Sequence, residues 1–251
     1  MDERARNPVK SVRTALRIVE ALVERDGATV TELADALPVT KGTVHNHLAT
    51  LRERGYVTEE DGVYRAGLGF LYPADSARSR EVLSGLGTDA VARLADTTGE
   101  RVDLVARQGN HAVLLASVAG DRYEGPRGVA GERLPLYCTA TGKVVLAHAA
   151  DLDPERVVAD ATGRTDRTIT DPQALESEVG YIRDEGLAYD RGEYDPHRRG
   201  IAAPLFRDGE IAGAVGIAGP ADRLRGKTFQ QDLPGLLVNT ADQLNVELDD
   251  L

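Results

Sequence analysis

The 251-residue sequence predicts an α+β protein in two parts. Three observations carry that prediction. Apolar residues recur at helical spacing over 11–24 and 44–51. After Gly55 the apolar period changes to two, around an Asp-Gly turn. Beyond residue 98, apolar strands joined by short glycine-bearing turns alternate with helical stretches.

The first part reads element by element. SVRTALRIVEALVE (11–24) spaces Val12, Leu16, Val19 and Leu22 as an amphipathic helix, with Ala15 and Ile18 beside them and Arg13 and Arg17 on the outer side. Thr29 and Glu32 stand in capping-box register ahead of a short helix, ELADAL. Pro38 and Val39 form a turn, and Thr40 is the N-cap of a third helix. There Val44, Leu48 and Leu51 point one way, while Lys41, Thr43, His45, Asn46 and Thr50 fall on other faces. His47, one step from the apolar stripe, reads as a packing or backbone-contacting residue. Tyr56-Val57-Thr58 and Val63-Tyr64-Arg65 flank EEDG, in which Asp61-Gly62 is a hairpin signal.

Three short helices followed by a hairpin make a winged helix-turn-helix, whose third helix enters the DNA major groove. Double-stranded DNA is therefore the expected partner. Lys41, Thr43, His45 and Asn46 stand near the start of the recognition helix. Arg13, Arg17 and Arg65 complete the expected DNA-contacting set, with Lys41, Arg13 and Arg17 assigned to phosphates, which position without specifying.

Residues 76–98 read as one linker helix, with Val82, Leu83, Leu86, Ala90, Val91 and Leu94 apolar and Gly85 and Gly87 weakening its first half. An apolar stripe over 76–97 would be exposed in a monomer, so a homodimer is expected. Strands RVDLVAR and AVLLASVA follow, joined by Gln108-Gly109-Asn110. GERLPLYCTATGKVVLAHA turns from a strand end into a helix, and Pro172 starts another. Asp208-Gly209 joins the last two strands, and a terminal helix runs from about 229 to 248. The expected division is 1–75, a DNA-binding domain; 76–98, a linker helix; and 99–251, an antiparallel sheet with helices.

Net charge is −11, but its distribution is uneven. Residues 1–75 hold 10 Lys and Arg against 12 Asp and Glu, a net of −2; the remainder holds 20 against 29, a net of −9. The nearly balanced first part leaves DNA binding open. Only four cations are lysine (Lys10, Lys41, Lys143, Lys227), a composition that fits a salty cytoplasm or a GC-rich genome. No apolar run reaches the roughly 18 residues of a membrane span. MDERARNPVK lacks the apolar core of a secretory signal, and the single cysteine, Cys138, allows no internal disulfide. These features predict a cytoplasmic protein with no membrane partner.

SVRTALRIVEAL, VTELADAL, GTVHNHLATL, RGYV and YRAGLGF resemble the winged-helix half of the IclR family of transcription regulators. LPLYCTATGKVVLA and GLAYDRGEY…RRGIAAPLF…GAVGIAGPADRL resemble its effector half, so the likeness covers nearly the whole chain. The composition suggests a haloarchaeal type of member. The resemblance implies a GAF-like ligand-sensing domain, dimers joined through the N-terminal half and a dimer of dimers. Gly42 and Asn46 depart from the family's usual serine and frequent arginine. Gly200 stands where cysteine, serine or alanine is preferred, and Gly216 and Ala218 where small polar residues occur.

The helix start at Ala140, Thr141 and Gly142 offers free N–H groups to a small anion. With Asp190, Glu193, Gly200, Gly216 and Ala218 it forms the expected effector site, suited to an organic acid or an aromatic larger or more apolar than a three-carbon acid. Asp190 and Glu193 can equally serve only to cap turns or solvate a loop. No cofactor, metal or catalytic residue is expected. ADRLRGKT (221–228) resembles a phosphate loop, but Ala221 replaces its first glycine and Leu224 is bulky. DRGEYDPH has metal-ligand residue types without ligand spacing. Cys138 lies near a helix start that would lower its pKa, yet no positioned base accompanies it. The expected function is a ligand-responsive transcription regulator. The alternatives are an enzyme, or a redox sensor acting through Cys138, with an accessory winged helix.

Overall fold

The computed structural model describes residues 7–159 and 161–251. The chain forms two compact units, one ending at Arg80 and the other running from Glu81 to Leu251.

The first unit contains α1 (Lys10–Glu24), α2 (Val30–Ala36), α3 (Lys41–Glu53), β1 (Val57–Glu60) and β2 (Val63–Ala66). Thr29 caps α2 with the expected reciprocal capping box, and the Thr40 hydroxyl accepts from the Thr43 amide at the start of α3. Asp61 and Gly62 both have positive φ, which turns β1 back on β2 in the primed hairpin geometry. Reciprocal backbone hydrogen bonds between Ala28 and Tyr64, 2.9 and 3.0 Å, fasten this wing to the turn before α2. The core is Ile18, Leu22, Leu33, Val44, Leu48, Val57 and Tyr64. A 3₁₀ turn (Leu68–Phe70) leads into α4 (Leu71–Arg78).

The apolar face of α1 differs from the expected one. Ile18, Ala21 and Leu22 turn inward, whereas Val12 and Leu16 are 57% and 56% exposed. Both rows have helical spacing, and only the position of α3 and the wing selects between them.

The single linker helix over 76–98 is also corrected. The chain leaves helical geometry after Arg78, and α5 begins at Val82 behind Glu81, whose carboxylate accepts from the Leu83 amide. α5 (Val82–Thr98) belongs to the second unit, and its apolar face is buried in that unit's core. Gly87 makes this possible: a Cβ there would stand 2.3 Å from Leu104. The stripe expected to remain bare is therefore covered intramolecularly.

The second unit continues with β3 (Arg101–Gln108), β4 (His111–Ala119), β5 (Arg133–Leu134), α6 (Ala140–His148), α7 (Pro154–Ala159), α8 (Pro172–Glu185), β6 (Ala188–Asp190), β7 (Arg198–Arg207), β8 (Glu210–Pro220) and α9 (Leu233–Asp249). A π-helical stretch, Thr228–Asp232, precedes α9. The six strands form one antiparallel sheet in the order β5-β4-β3-β8-β7-β6. Asp208 and Gly209 form its expected tight turn, again with positive φ. α5 and α9 pack on one face around Leu104, Ile201 and Val215. α6 and α8 pack on the other, around Val144, Leu175 and Ala202. The fold is α+β, as the sequence predicts.

Candidate functional site

In the first unit the apolar row Val44–Leu48 fixes the rotation of α3, since successive side chains advance by about 100°. Asn46 therefore faces directly outward, and Lys41 and His45 lie four apart on the adjoining flank. All three are exposed. Thr43 is half-buried, its hydroxyl 3.0 Å from that of Thr40, and His47 is half-buried beside the core. Arg13 and Arg17 are exposed on α1. Arg65 is exposed opposite Thr58 on the wing, its stem lying over Gly27. An ion pair missed in the sequence, Arg52–Glu59, ties α3 to the wing. Glu59, Glu60 and Asp61 make the wing tip acidic, a sign that repels phosphate.

In the second unit the sheet register builds a cavity. Arg101, Ala218, Gly200 and Asp190 are direct neighbours across β3, β8, β7 and β6, and so share one face. Two residues along, Ser117, Asp103, Gly216 and Ala202 form the next row on that face. The start of α6 lies over these rows and leaves a space of about 300 Å³. Ala140, Thr141, Asp190, Gly200, Gly216 and Ala218 all line it, together with Arg101, Asp103, Arg127 and Arg198.

Thr139 caps α6, its hydroxyl accepting from the Gly142 amide at 3.0 Å. That leaves the Ala140 and Thr141 N–H groups without helical partners. Gly142 itself does not line the cavity: its missing Cβ lets the Pro135 carbonyl approach the helix. Gly216 also serves packing, since a Cβ there would stand 2.7 Å from the Thr141 methyl. A Cβ on Gly200 would meet only ordinary contacts, 3.4–3.8 Å away.

The two acidic candidates separate. Asp190 lines the cavity while its Oδ1 accepts the amides of Gly192, Glu193 and Tyr194, so it caps a turn as well. Burial pushes its carboxyl up, against those three amides and Lys143. Glu193 is not on the cavity. Both its oxygens lie 2.8 Å from Lys143 Nζ, which also reaches Glu178 at 2.8 Å. Lys143 is fully buried, and this trio joins α6, α8 and the loop after β6. Burial pushes the Glu193 carboxyl up, opposed by Lys143.

Sequence reasoning missed Arg101 and Asp103. The guanidinium reaches Asp103 at 2.9 Å, and Ser117 donates to the other carboxylate oxygen at 2.6 Å. Burial raises the Asp103 pKa, with Arg101 and Ser117 opposing. The alternation of RVDLVAR gave only a strand; its facing partners, over a hundred residues away, make it part of the site. The cavity is consequently far more polar than Gly200, Gly216 and Ala218 alone suggest.

The other motifs have structural uses. In ADRLRGKT, Arg223 forms a two-pronged bond to buried Glu100 at 2.7 and 2.8 Å, and Leu224 enters the core. In DRGEYDPH, Asp195 accepts from the His197 amide and pairs with Arg198. Among the described residues, no cluster of three or more His, Cys, Asp or Glu could hold a metal ion. Cys138 is buried, and burial pushes its thiol up to about 12 rather than down.

Residues 11–61 match the IclR helix-turn-helix domain, and residues 81–246 match the Bacterial transcriptional regulator IclR C-terminal family. The chain is 31% identical over 248 residues to the "Probable HTH-type transcriptional regulator ArcR" of Halobacterium salinarum, covering 96% of this chain and 94% of that protein. It is 34% identical over 224 residues to the HTH-type transcriptional regulator BhcR of Paracoccus denitrificans, covering 86% and 79%. Among solved structures, an IclR homolog from Microbacterium hydrocarbonoxydans complexed with 4-hydroxybenzoate shares the fold, with a TM-score of 0.79 at 20% identity over 95% of this chain and 99% of that one. The winged helix with its outward-facing polar α3, the capped helix start over the sheet and these matches lead to one conclusion: the chain belongs to the IclR family of DNA-binding transcription regulators, with an N-terminal helix-turn-helix domain and a C-terminal effector-binding domain.

Proposed function

We propose that this regulator controls its operator through a small organic acid seated between the start of α6 and the Arg101–Ala218–Gly200–Asp190 row. One observation carries the reading: the free amides of α6 and the guanidinium groups of Arg101, Arg127 and Arg198 line the same cavity. The helix dipole favours an anion there. The 4-hydroxybenzoate complex of the related fold supports an acid as ligand. On this reading the chain acts on DNA in the cytoplasm and catalyses no reaction. Its curated relatives are transcriptional regulators, and among the described residues no helix is long and apolar enough to cross a membrane.

Gly200→Val tests the effector half. The backbone there is not left-handed and the neighbours leave room for a Cβ, so the fold survives while the branched side chain enters the cavity. The expected result is at least a tenfold loss of effector affinity with DNA binding retained, read by calorimetry and gel shift. Unchanged effector affinity would place the ligand elsewhere.

The DNA half rests on α3. Asn46 pairs bidentately with adenine N6 and N7, so an adenine is expected in each half-site. Asn46→Ala then costs roughly 1–3 kcal/mol on the operator and relaxes one position of the selected consensus. Arg17→Ala weakens all sequences about equally and flattens the salt dependence. A binding-site selection in which Asn46→Ala keeps the wild-type consensus throughout refutes the assignment.

We further propose a homodimer joined through α1. Val12, Leu16, Val19 and Val23 follow one another at intervals of four, three and four residues, the spacing of a coiled-coil seam. Val12, Leu16 and Val23 are more than half exposed, as are Leu68, Leu71 and Tyr72 around the 3₁₀ turn and α4. A dimer of dimers, also implied by the family, would need a second contact.

A further inference from the structure

The cavity carries more polarity than a plain carboxylate needs. The row Arg101–Ala218–Gly200–Asp190 crosses four neighbouring strands. Three inter-strand steps of about 4.8 Å set the backbones of its ends roughly 14 Å apart. The two middle positions are small, so a trough runs between Arg101 and Asp190.

The two ends of the trough present different groups. At the Asp190 end, Ala140 lies 3.6 Å from where a Cβ on Gly200 would stand, which brings the free α6 amides close to the carboxylate. Asp190 is only 7% exposed, and while Oδ1 takes three amides, Oδ2 has no donor among the described residues. It lines the same space. At the other end Asp103, 6% exposed, is paired with Arg101, whose Nη1 also reaches Tyr123 and the Pro126 carbonyl at 3.2 Å. Along the trough the groups run donor, acceptor, acceptor, donor: amide N–H, Asp190, Asp103, Arg101.

The candidate acids meet this pattern unequally. An alkanoate or an aromatic acid would satisfy the amides with its carboxylate and rest on Leu114, Pro126 and Leu134, but its apolar part would also face the buried Asp190 and Asp103, which is unfavourable. The second carboxylate of a diacid would find Arg127 and Arg198 as well as Arg101, but at the Arg101 end it would also lie beside Asp103, which already neutralises that guanidinium. A hydroxyl both donates and accepts, so it suits every position.

Resting on the effector site proposed above, we infer that the effector is a sugar acid: a five- or six-carbon monocarboxylate hydroxylated along its chain. Its carboxylate accepts from the Ala140 and Thr141 amides, the adjacent hydroxyl donates to Asp190, and the distal hydroxyls donate to Asp103 and accept from Arg101.

Calorimetric titration of the full-length protein tests this with D-gluconate, D-galactonate and D-xylonate against hexanoate, adipate and 4-hydroxybenzoate. At least one aldonate is expected to bind ten times more tightly than any of the other three acids. Asp103→Asn should weaken that aldonate at least tenfold and leave hexanoate unchanged. Ala218→Val narrows the trough without removing a polar group and should weaken the aldonate as much, so the outcome stands if Asp103→Asn unfolds. Equal or tighter binding of hexanoate, adipate or 4-hydroxybenzoate overturns the sugar acid. If that binding is lost in Gly200→Val, the acid site itself stands. An aldonate indifferent to Ala218→Val and to a folded Asp103→Asn also overturns the inference. Failure of all six acids to bind overturns both the sugar acid and the α6 site.

Discussion

Replacing Lys143 with methionine is expected to destabilise the effector domain by about 3–5 kcal/mol, the usual cost of removing one partner from a buried ion pair. Methionine fills much of the lysine's volume, so the loss is chiefly electrostatic. Glu193, only 6% exposed, would keep its charge with no cation beside it, and Glu178 would face it across the gap. For a domain of this size the unfolding temperature should fall by on the order of 10 °C. Adding Glu193→Gln to Lys143→Met should recover part of the loss, because the buried negative charge is gone.

The deficit should also depend on pH. Burial raises the Glu193 carboxyl and Lys143 opposes that rise, so removing Lys143 raises it further. A carboxyl with a raised folded pKa stabilises fully below its unfolded value, and that contribution fades as pH rises through the folded value. Asp103 and Asp190 are raised by burial in the same direction. These three groups should therefore make the wild-type domain gain stability from neutral pH toward about pH 5. The gap between Lys143→Met and wild type should narrow over the same window. Thermal unfolding at pH 7.5 and 5.5 measures both. A gap that stays constant or widens on acidification means that Glu193 is not the charge left uncompensated.

Leu16→Glu is expected to turn the proposed dimer into a monomer and to lower operator affinity by roughly 10²–10⁴-fold. The second half-site is then no longer delivered by its tethered partner. Leu16 is central to the exposed row on α1 and makes little of the monomer's core, being 56% exposed. The winged-helix unit should therefore keep its own stability within about 0.5 kcal/mol. Light scattering at micromolar concentration reads the mass, and gel shift on a palindromic site reads the affinity. A Leu16→Glu protein that remains a dimer moves the interface to another surface.

Much of the local architecture was legible in the chain alone, because the signals were local. The capping box at Thr29 and Glu32, the N-cap at Thr40 and the hairpins at Asp61-Gly62 and Asp208-Gly209 depend on residues within a few positions of one another. The order of three helices and a wing followed from them. So did the helix start at Ala140, which forms one wall of the cavity over the sheet.

Long-range packing decided the rest. α1 carries two apolar rows of helical spacing, and periodicity cannot say which one α3 and the wing will cover. Residues 76–98 have helical composition throughout, but Gly87 against Leu104 draws their second half onto the sheet and breaks the run after Arg78. Lys143 and Glu193 stand fifty residues apart, and nothing in KVVLA or DRGEY announces that they meet. Arg101 and Asp103 read as strand residues because alternation identifies two faces without naming what lies across either. Only the register of β3 with β8 places them beside Gly216 and Ala218. Which segments curl, extend and turn could be read along the chain, since those choices rest on nearest neighbours. The tertiary structure alone decided which faces are covered and which charges share a cavity, since those depend on residues a hundred positions away.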